Sequence, residues 1–555
     1  MHCPFTRRVS LLGSLVALAL LSPAAYAAVS CTELATDPAH GLAGNPVVKT
    51  VTSTIIPAAG TNASYCQVNI LYGESENQNI NIRVGLPLNA LDGGTGGVQG
   101  AWNGRTQGIG GGGCSGSLGV TGPVNARYVG SGNDTGHAGG NCEPGVNEDG
   151  TYNLQFINDF IRNGMKQQIL FSKAVARAYY EQAPAYNYWN GCSTGGRQGY
   201  VLAQELGTEL DGILANAPAI YWTRFQTAQM WGQIVMKDAF GAVIPAAKLN
   251  QASASAVAAC DAADGVVDGL IDDPRTCKFS ARANICGAPT APATNCLTSA
   301  EADAIDKIWD GPRNSQGNKI WFGLDRGTSI PALNGTNPFA LGVTQFHWDE
   351  HDRNFDWRTV SEAGYAQVAQ DGSRNIADVT DTFGDLDVFR RNGGKLLTLV
   401  GANDQLIMPR GVIDYYRQTA SRHGKGAGKG PDFADVQSFY RLFRVPGAGH
   451  CAVPNGFPAL VDWVENGVAP AQILVTSGSR TRPLCPYPQT AIYNGSGDPN
   501  LPTSFHCGGN LETRATVCAD VLAKYKHEND DGHLDYSGTG VNQNACELQK
   551  GRYAD

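Results

Sequence analysis

Short apolar runs that end on glycine or proline recur along the chain. Ile80–Pro87 (INIRVGLP), Tyr186–Asn190 (YNYWN) and Lys395–Gly401 (KLLTLVG) are too short for helices and are bounded by turn formers, so they read as buried strands. Asp211–Ala217 (DGILANA) reads as another, and FYRLFRV (439–445) is a further apolar segment. Helical spacing runs from Arg197 to Leu206, where the small Gly195 and Gly196 let the helix start close to the preceding strand. Strands alternating with helices predict an α/β protein with a mostly parallel, helix-flanked sheet.

The alternation is interrupted. Far more chain separates Ser193 from Asp404 than two or three βα units need, and 220–382 is rich in Ala, Asp, Asn, Trp and closely spaced cysteines. That stretch reads as an inserted lid domain dividing the α/β domain into 28–219 and 383–555. HGKGAGKGPDF (423–433) reads as a surface loop.

The N-terminus has Arg7 and Arg8, an apolar run from Val9 to Leu21, and Ala25-Tyr26-Ala27. This is the pattern of a secretory signal (1–27) cut after Ala27. The run is short for a membrane span and no later apolar stretch reaches 18 residues, so no membrane span is expected. The protein is expected outside the cytoplasm, extracellular or periplasmic. A formal charge of -9 without a basic block argues against a nucleic-acid partner.

The chain has 15 cysteines, one of them (Cys3) in the signal. An even remainder in an exported chain implies an oxidised framework. Paired C-x-x-C modules are lacking, which argues against structural zinc. Proximity suggests Cys31–Cys66, Cys114–Cys142, Cys260–Cys277, Cys286–Cys296, Cys485–Cys507 and Cys518–Cys546, leaving Cys192 and Cys451, although the sequence does not fix the connectivity.

Those two cysteines flank the candidate chemistry. Gly191-Cys192-Ser193-Thr194-Gly195 fits G-x-S-x-G, the strand-to-helix turn that exposes a nucleophilic serine. His450 precedes Cys451 in PGAGHC, and Asp404 lies just past KLLTLVG. A serine hydroxyl needs a base and the base an orienting acid. The chain order Ser193, Asp404, His450 is that of the α/β-hydrolase fold. A Cys192–Cys451 bond would draw Ser193 and His450 into one small volume. An oxyanion needs amide donors: Thr194, after the nucleophile, and Gly112 or Gly113 in WNGRTQGIGGGGCSG (102–116), a loop without the G-K-[ST] of a phosphate loop. In Cys260-Asp261-Ala-Ala-Asp264-Gly-Val-Val-Asp268-Gly-Leu270, closed by Cys277, three carboxylates with nothing evident to neutralise them suit a hard cation such as calcium. A solvated acidic turn is the alternative.

With GCSTGGRQG and the paired Cys-Ser and His-Cys elements in view, the chain resembles the tannase and feruloyl esterase family across essentially its whole mature length. The resemblance implies an α/β-hydrolase fold with a large inserted lid and a structural calcium ion on Asp261, Asp264 and Asp268 with the carbonyls of Val266 and Leu270. It also implies a small-molecule aromatic ester as substrate, cleaved through Ser193, His450 and Asp404 with Thr194 and Gly113 as oxyanion donors. Phe346, Trp348, Phe355 and Trp357 are candidate stacking surfaces, and Arg353 or Arg358 a candidate carboxylate contact. The family includes mono(2-hydroxyethyl) terephthalate hydrolase, so a terephthalate-type monoester is the alternative to a feruloyl or galloyl ester. A non-catalytic calcium-dependent binding module is the alternative from another class.

Overall fold

The computed structural model describes residues 28–382, 385–423 and 431–513, with Thr516 and Asp520. The signal segment, the greater part of the 423–433 loop and the Cys518–Cys546 pair lie outside the described residues.

Nine strands form one sheet: Val48–Ile56 (β1), Tyr65–Tyr72 (β2), Ile80–Pro87 (β3), Arg105–Ile109 (β4), Val129–Asn133 (β5), Tyr186–Cys192 (β6), Gly212–Asn216 (β7), Lys395–Gly401 (β8) and Tyr440–Val445 (β9). Their order is β1-β2-β3-β5-β4-β6-β7-β8-β9. β1 to β3 are antiparallel, β3 is antiparallel to β5, and every neighbouring pair from β5 to β9 is parallel. The strands read from the sequence all form, with β6 running two residues further, to Cys192.

Apolar residues on the central strands point to both faces, as in a sheet covered on both sides. Trp189, Ile213 and Leu396 join the core on one face, while Tyr188, Leu214 and Leu397 join a second core on the other. Helices Gly164–Tyr180 (α1), Thr194–Glu205 (α2), Pro409–His423 (α3) and Phe457–Asn466 (α4) flank the sheet. α2 begins three residues before the periodic stretch read from the sequence, because Thr194 to Gly196 already pack in the helix.

Residues 217–394 intervene between the adjacent strands β7 and β8. Their apolar side chains do not close a core of their own: Trp222, Trp309, Trp321 and Trp348 join the cluster that contains Trp189 and Tyr200. The Trp348 indole donates to the Cys142 carbonyl at 3.0 Å, and the Tyr152 hydroxyl to the Trp348 carbonyl at 2.7 Å. Buried charges add a second seam. Arg417 of α3 pairs with Asp520 (2.9 Å) and Glu512 (2.8 Å), while Arg275 reaches Asp520 (3.2 Å) and Asp273 (2.9 Å). Removing one partner of such a pair leaves a buried charge uncompensated.

Six disulfides form, with each expected pairing present among the described residues: Cys31–Cys66, Cys114–Cys142, Cys192–Cys451, Cys260–Cys277, Cys286–Cys296 and Cys485–Cys507.

Candidate active site

β6 ends at Cys192 and α2 starts at Thr194, so Ser193 makes the whole turn, with φ 62° and ψ −124°. A non-glycine residue there is strained and persists only when its surroundings over-determine it. Here the Ser193 N–H donates to the Asn216 carbonyl at 3.0 Å, and its carbonyl accepts from Arg197 (3.0 Å) and Ala219 (3.1 Å). The helix also approaches the strand ends closely: a Cβ on Gly110 would sit 2.4 Å from the Gly195 Cα.

Asp404 follows β8, and His450 lies in the turn after β9, so Ser193, Asp404 and His450 all stand beyond the C-terminal ends of parallel strands, where open α/β sheets bind ligands. His450 Nδ1–H donates to Asp404 Oδ2 at 2.8 Å. The other carboxylate oxygen accepts from the amides of Leu406 (2.8 Å) and Ile407 (2.9 Å), and Asp404 is 0% exposed. The Gln405 side chain, which carries no sequence signal beyond its place beside Asp404, accepts from the His450 amide at 3.1 Å. Cys192 and Cys451 are 6.0 Å apart at Cα. With consecutive Cα atoms about 3.8 Å apart, Ser193 and His450 lie within about 14 Å at Cα.

The glycine loop leads from β4 across the start of α2. Thr194 is buried, and its hydroxyl donates to the Gly113 carbonyl. Its amide is among the unpaired donors that a helix N-terminus presents. Gly113 has φ 60°, and Leu341 of the insertion stands over it, 3.8 Å from where a Cβ would be. Gly112 is open on that side.

The acidic loop differs in part from the sequence reading. Asp261 turns inward, and its carboxylate accepts from the amides of Asp268 (3.0 Å), Gly269 (3.0 Å) and Leu270 (3.3 Å). Asp268 is not without a neutralising partner: Arg480 and Arg482 each reach its Oδ2 at 3.0 Å. These arginines lie on a hairpin of Ile473–Ser477 (β10) and Arg480–Leu484 (β11), too distant in sequence for the charge balance to be read from the loop alone. Asp268 Oδ1 is buried without a partner. Burial, with Asp268 and Asp261 close by, pushes the Asp264 carboxyl above its ordinary range. Asp272, not singled out from the sequence, is pushed up to about 7 by burial and by Asp264. Among the described residues no three His, Cys, Asp or Glu side chains converge as a ready-made metal cluster. The loop's side-chain donors are all hard oxygens, and one buried carboxylate oxygen, Asp268 Oδ1, is left without a partner, the type of ligand a hard cation takes. A cavity of about 360 Å³ is lined jointly by this loop, by Gly447–Gly449 of the histidine turn and by the hairpin.

Three of the candidate stacking residues, Phe346, Trp348 and Trp357, belong to the buried core. Phe346 (0% exposed) and Trp348 (1%) are sealed inside. Phe355 packs at the edge of Phe346, 6.4 Å between ring centroids. Trp357 lines a groove of about 290 Å³ with Lys237 and Arg358. Arg358 lies over the Trp357 ring and pairs with Asp356 at 3.1 Å.

Residues 98–508 match the family model described as tannase and feruloyl esterase. The chain is similar to a probable feruloyl esterase of Arthroderma benhamiae, with 34% identity over 491 residues, 80% of this chain and 86% of the relative. It is 28% identical over 497 residues to the mono(2-hydroxyethyl) terephthalate hydrolase of Piscinibacter sakaiensis, covering 73% of this chain and 79% of that protein. The crystal structure of feruloyl esterase B from Aspergillus oryzae superposes with a TM-score of 0.71 at 23% identity, covering 83% of this chain and 97% of the other, so the two share the α/β-hydrolase fold.

Proposed function

Starting from a chain that belongs to the tannase and feruloyl esterase family of carboxylic ester hydrolases, we propose that it is an exported serine esterase that cleaves aromatic acid esters of the feruloyl or galloyl type. His450 Nε2 takes the proton of the Ser193 hydroxyl as Oγ attacks the ester carbonyl carbon, and Asp404 holds the imidazole in the tautomer that makes this possible. The Thr194 and Gly113 amides receive the oxyanion. As the tetrahedral intermediate collapses, His450 returns the proton to the leaving alkoxide, the alcohol departs and an acyl-Ser193 ester remains. Water, deprotonated by the same imidazole, then attacks the acyl carbon, and as the bond to Ser193 Oγ breaks His450 returns the proton to Oγ and the aromatic acid is released.

The observation that carries this reading is the 2.8 Å His450–Asp404 contact, held one residue from a disulfide whose other half precedes a serine in a strained strand-to-helix turn. In this reading residues 220–382 form the lid over the acyl group. Asp261, Asp264 and Asp268, with the carbonyls of Val266 and Leu270, would hold a calcium ion whose contribution is to brace the loop. Asp261 and Asp264 would supply charge and Val266 and Leu270 neutral oxygen, while Asp268 shares itself with the arginines. Export is supported by the six disulfides. Among the described residues no helix is long and apolar enough to cross a membrane.

The test is hydrolysis of methyl ferulate, methyl gallate and a terephthalate monoester by wild type and Ser193→Ala. Wild type should favour the first two, and the variant should lose about 10⁴-fold or more in kcat on every ester that wild type cleaves. Equal turnover by the two proteins would end the serine mechanism, and a preference for the terephthalate monoester would select the second substrate class.

A further inference from the structure

The glycine loop spends its peptide groups in an alternating way. In a planar trans peptide the carbonyl of one residue and the N–H of the next point to opposite sides. The Gly111 carbonyl accepts from the Gly195 amide of α2 at 2.9 Å, which turns the Gly112 N–H away from the helix. The Gly112 carbonyl accepts from the Ser115 hydroxyl at 2.9 Å, which turns the Gly113 N–H away from Ser115. The amides on either side are already engaged: Gly110 donates to the Asn190 carbonyl at 3.0 Å and Cys114 to the Gly140 carbonyl at 3.3 Å. The Gly111 amide is taken by a side chain, Gln198 Oε1, at 3.0 Å. Among the described residues, the Gly112 and Gly113 amides are left without a protein acceptor.

Gln198 lies one helical turn beyond Thr194 on α2 and is 0% exposed. Its Oε1 faces Gly111, whereas its Nε2 is buried without a partner. Leaving an amide donor unpaired in the interior is costly, so a residue kept there in that state serves through its other end. With Gly195 on the Gly111 carbonyl and Thr194 on the Gly113 carbonyl, Gln198 completes a row of contacts that joins the glycine loop to the helix carrying the nucleophile.

Resting on the serine-esterase reading above, we infer that Gln198 is a positioning residue for the oxyanion pocket. By holding the Gly111 amide it fixes the peptide planes that aim the Gly112 and Gly113 amides at the oxygen that becomes negative in the transition state. It touches neither substrate nor oxyanion. Its effect therefore falls on kcat and on tetrahedral ligands, and spares planar ones.

Gln198→Met removes the acceptor and keeps the length of the side chain. Loss of a whole oxyanion donor costs about 10²–10³ in kcat, and a displaced donor should cost less, about 10- to 100-fold. The KM for methyl ferulate should stay within about twofold. The affinity for phenylboronic acid, which forms a tetrahedral adduct on the serine, should fall by the same factor as kcat, and the affinity for ferulic acid should hold. Gln198→Glu keeps an oxygen facing the Gly111 amide and should recover most of the loss. The inference is overturned if folded Gln198→Met keeps wild-type kcat, if boronate and ferulate affinities fall together, or if Gln198→Glu is as impaired as Gln198→Met. Should the methionine variant not fold, the glutamate variant decides: near-wild-type kcat and boronate affinity support the inference, and a tenfold loss of both overturns it. Ser193→Ala separates the two readings, since activity in that variant sinks the serine mechanism. An inactive Ser193→Ala beside a fully active Gln198→Met sinks the Gln198 role alone.

Discussion

Asp404 is 0% exposed and the Asp268 side chain 13% exposed, yet the two carboxylates are satisfied from different distances. Asp404 takes amides from Leu406 and Ile407, two and three residues on, and the ring of His450. Asp268 relies on arginines of the C-terminal hairpin, Arg482 being 214 residues downstream. A locally satisfied carboxylate keeps its orientation while the rest of the chain breathes, as an acid that must hold a base requires. A carboxylate neutralised from afar reports instead whether two distant segments are docked.

The comparison breaks most visibly at the disulfide. If the catalytic corner is pinned both covalently and by local hydrogen bonds, replacing Cys192 and Cys451 by serine should lower kcat by about 10²-fold, the scale of an ångström-sized displacement. The fold should persist at a stability cost of about 2–5 kcal/mol. Cys451 is exposed, so mild reduction should act in the same direction before the protein unfolds. Kinetics and circular dichroism on one sample check this, and unaltered kcat would mean that Asp404 and Gln405 alone place His450.

Chelation tests the other region. If the loop holds the proposed calcium ion, removing it should lower the melting temperature while leaving the initial rate at low temperature nearly unchanged. The loss is about 2.7 kcal/mol if the ion stands at a hundred times its Kd. Asp264→Asn should remove the sensitivity to EDTA. A melting temperature indifferent to EDTA would take the metal out of the reading and leave the arginines as the loop's whole counter-charge.

The smallest effect concerns a buried carboxyl outside both regions. Asp414 of α3 is pushed up to about 8 by burial, against the pull of Arg417. Its folded pKa lies above the ordinary 3.8. The folded protein thus keeps a proton that the unfolded chain releases, so this contribution to stability is full at low pH and drains away as pH rises from about 4 to about 8. Asp414→Asn cannot ionise, so its melting temperature should gain on wild type across that window. Parallel curves would show that Asp414 does not titrate there.

Much of the candidate site was legible because its signals are local. G-x-S-x-G needs five consecutive residues, and the acid and base follow apolar runs that declare themselves as strands. The cysteines pair mostly with near neighbours, which left Cys192 and Cys451 to each other. Other features were not legible. Phe346 and Trp348 look like stacking surfaces in the sequence, but an aromatic residue carries no mark that tells a pocket wall from a core. Asp261 reads as one ligand among three, yet it is the residue around which the loop's own amides fold. Gln198 and Gln405 contribute single hydrogen bonds from side chains that would be ordinary anywhere else.

The chain by itself determined the α/β class, the strand-to-helix turn at Ser193 and the order of the three candidate catalytic residues, since periodicity and turn chemistry act between neighbours in sequence. Tertiary structure alone decided which carboxylates meet arginines, which tryptophans are sealed in the shared core and which glycine amides remain free. Those outcomes depend on segments hundreds of residues apart arriving at the same place, and burial and electrostatic pairing have no meaning until they do.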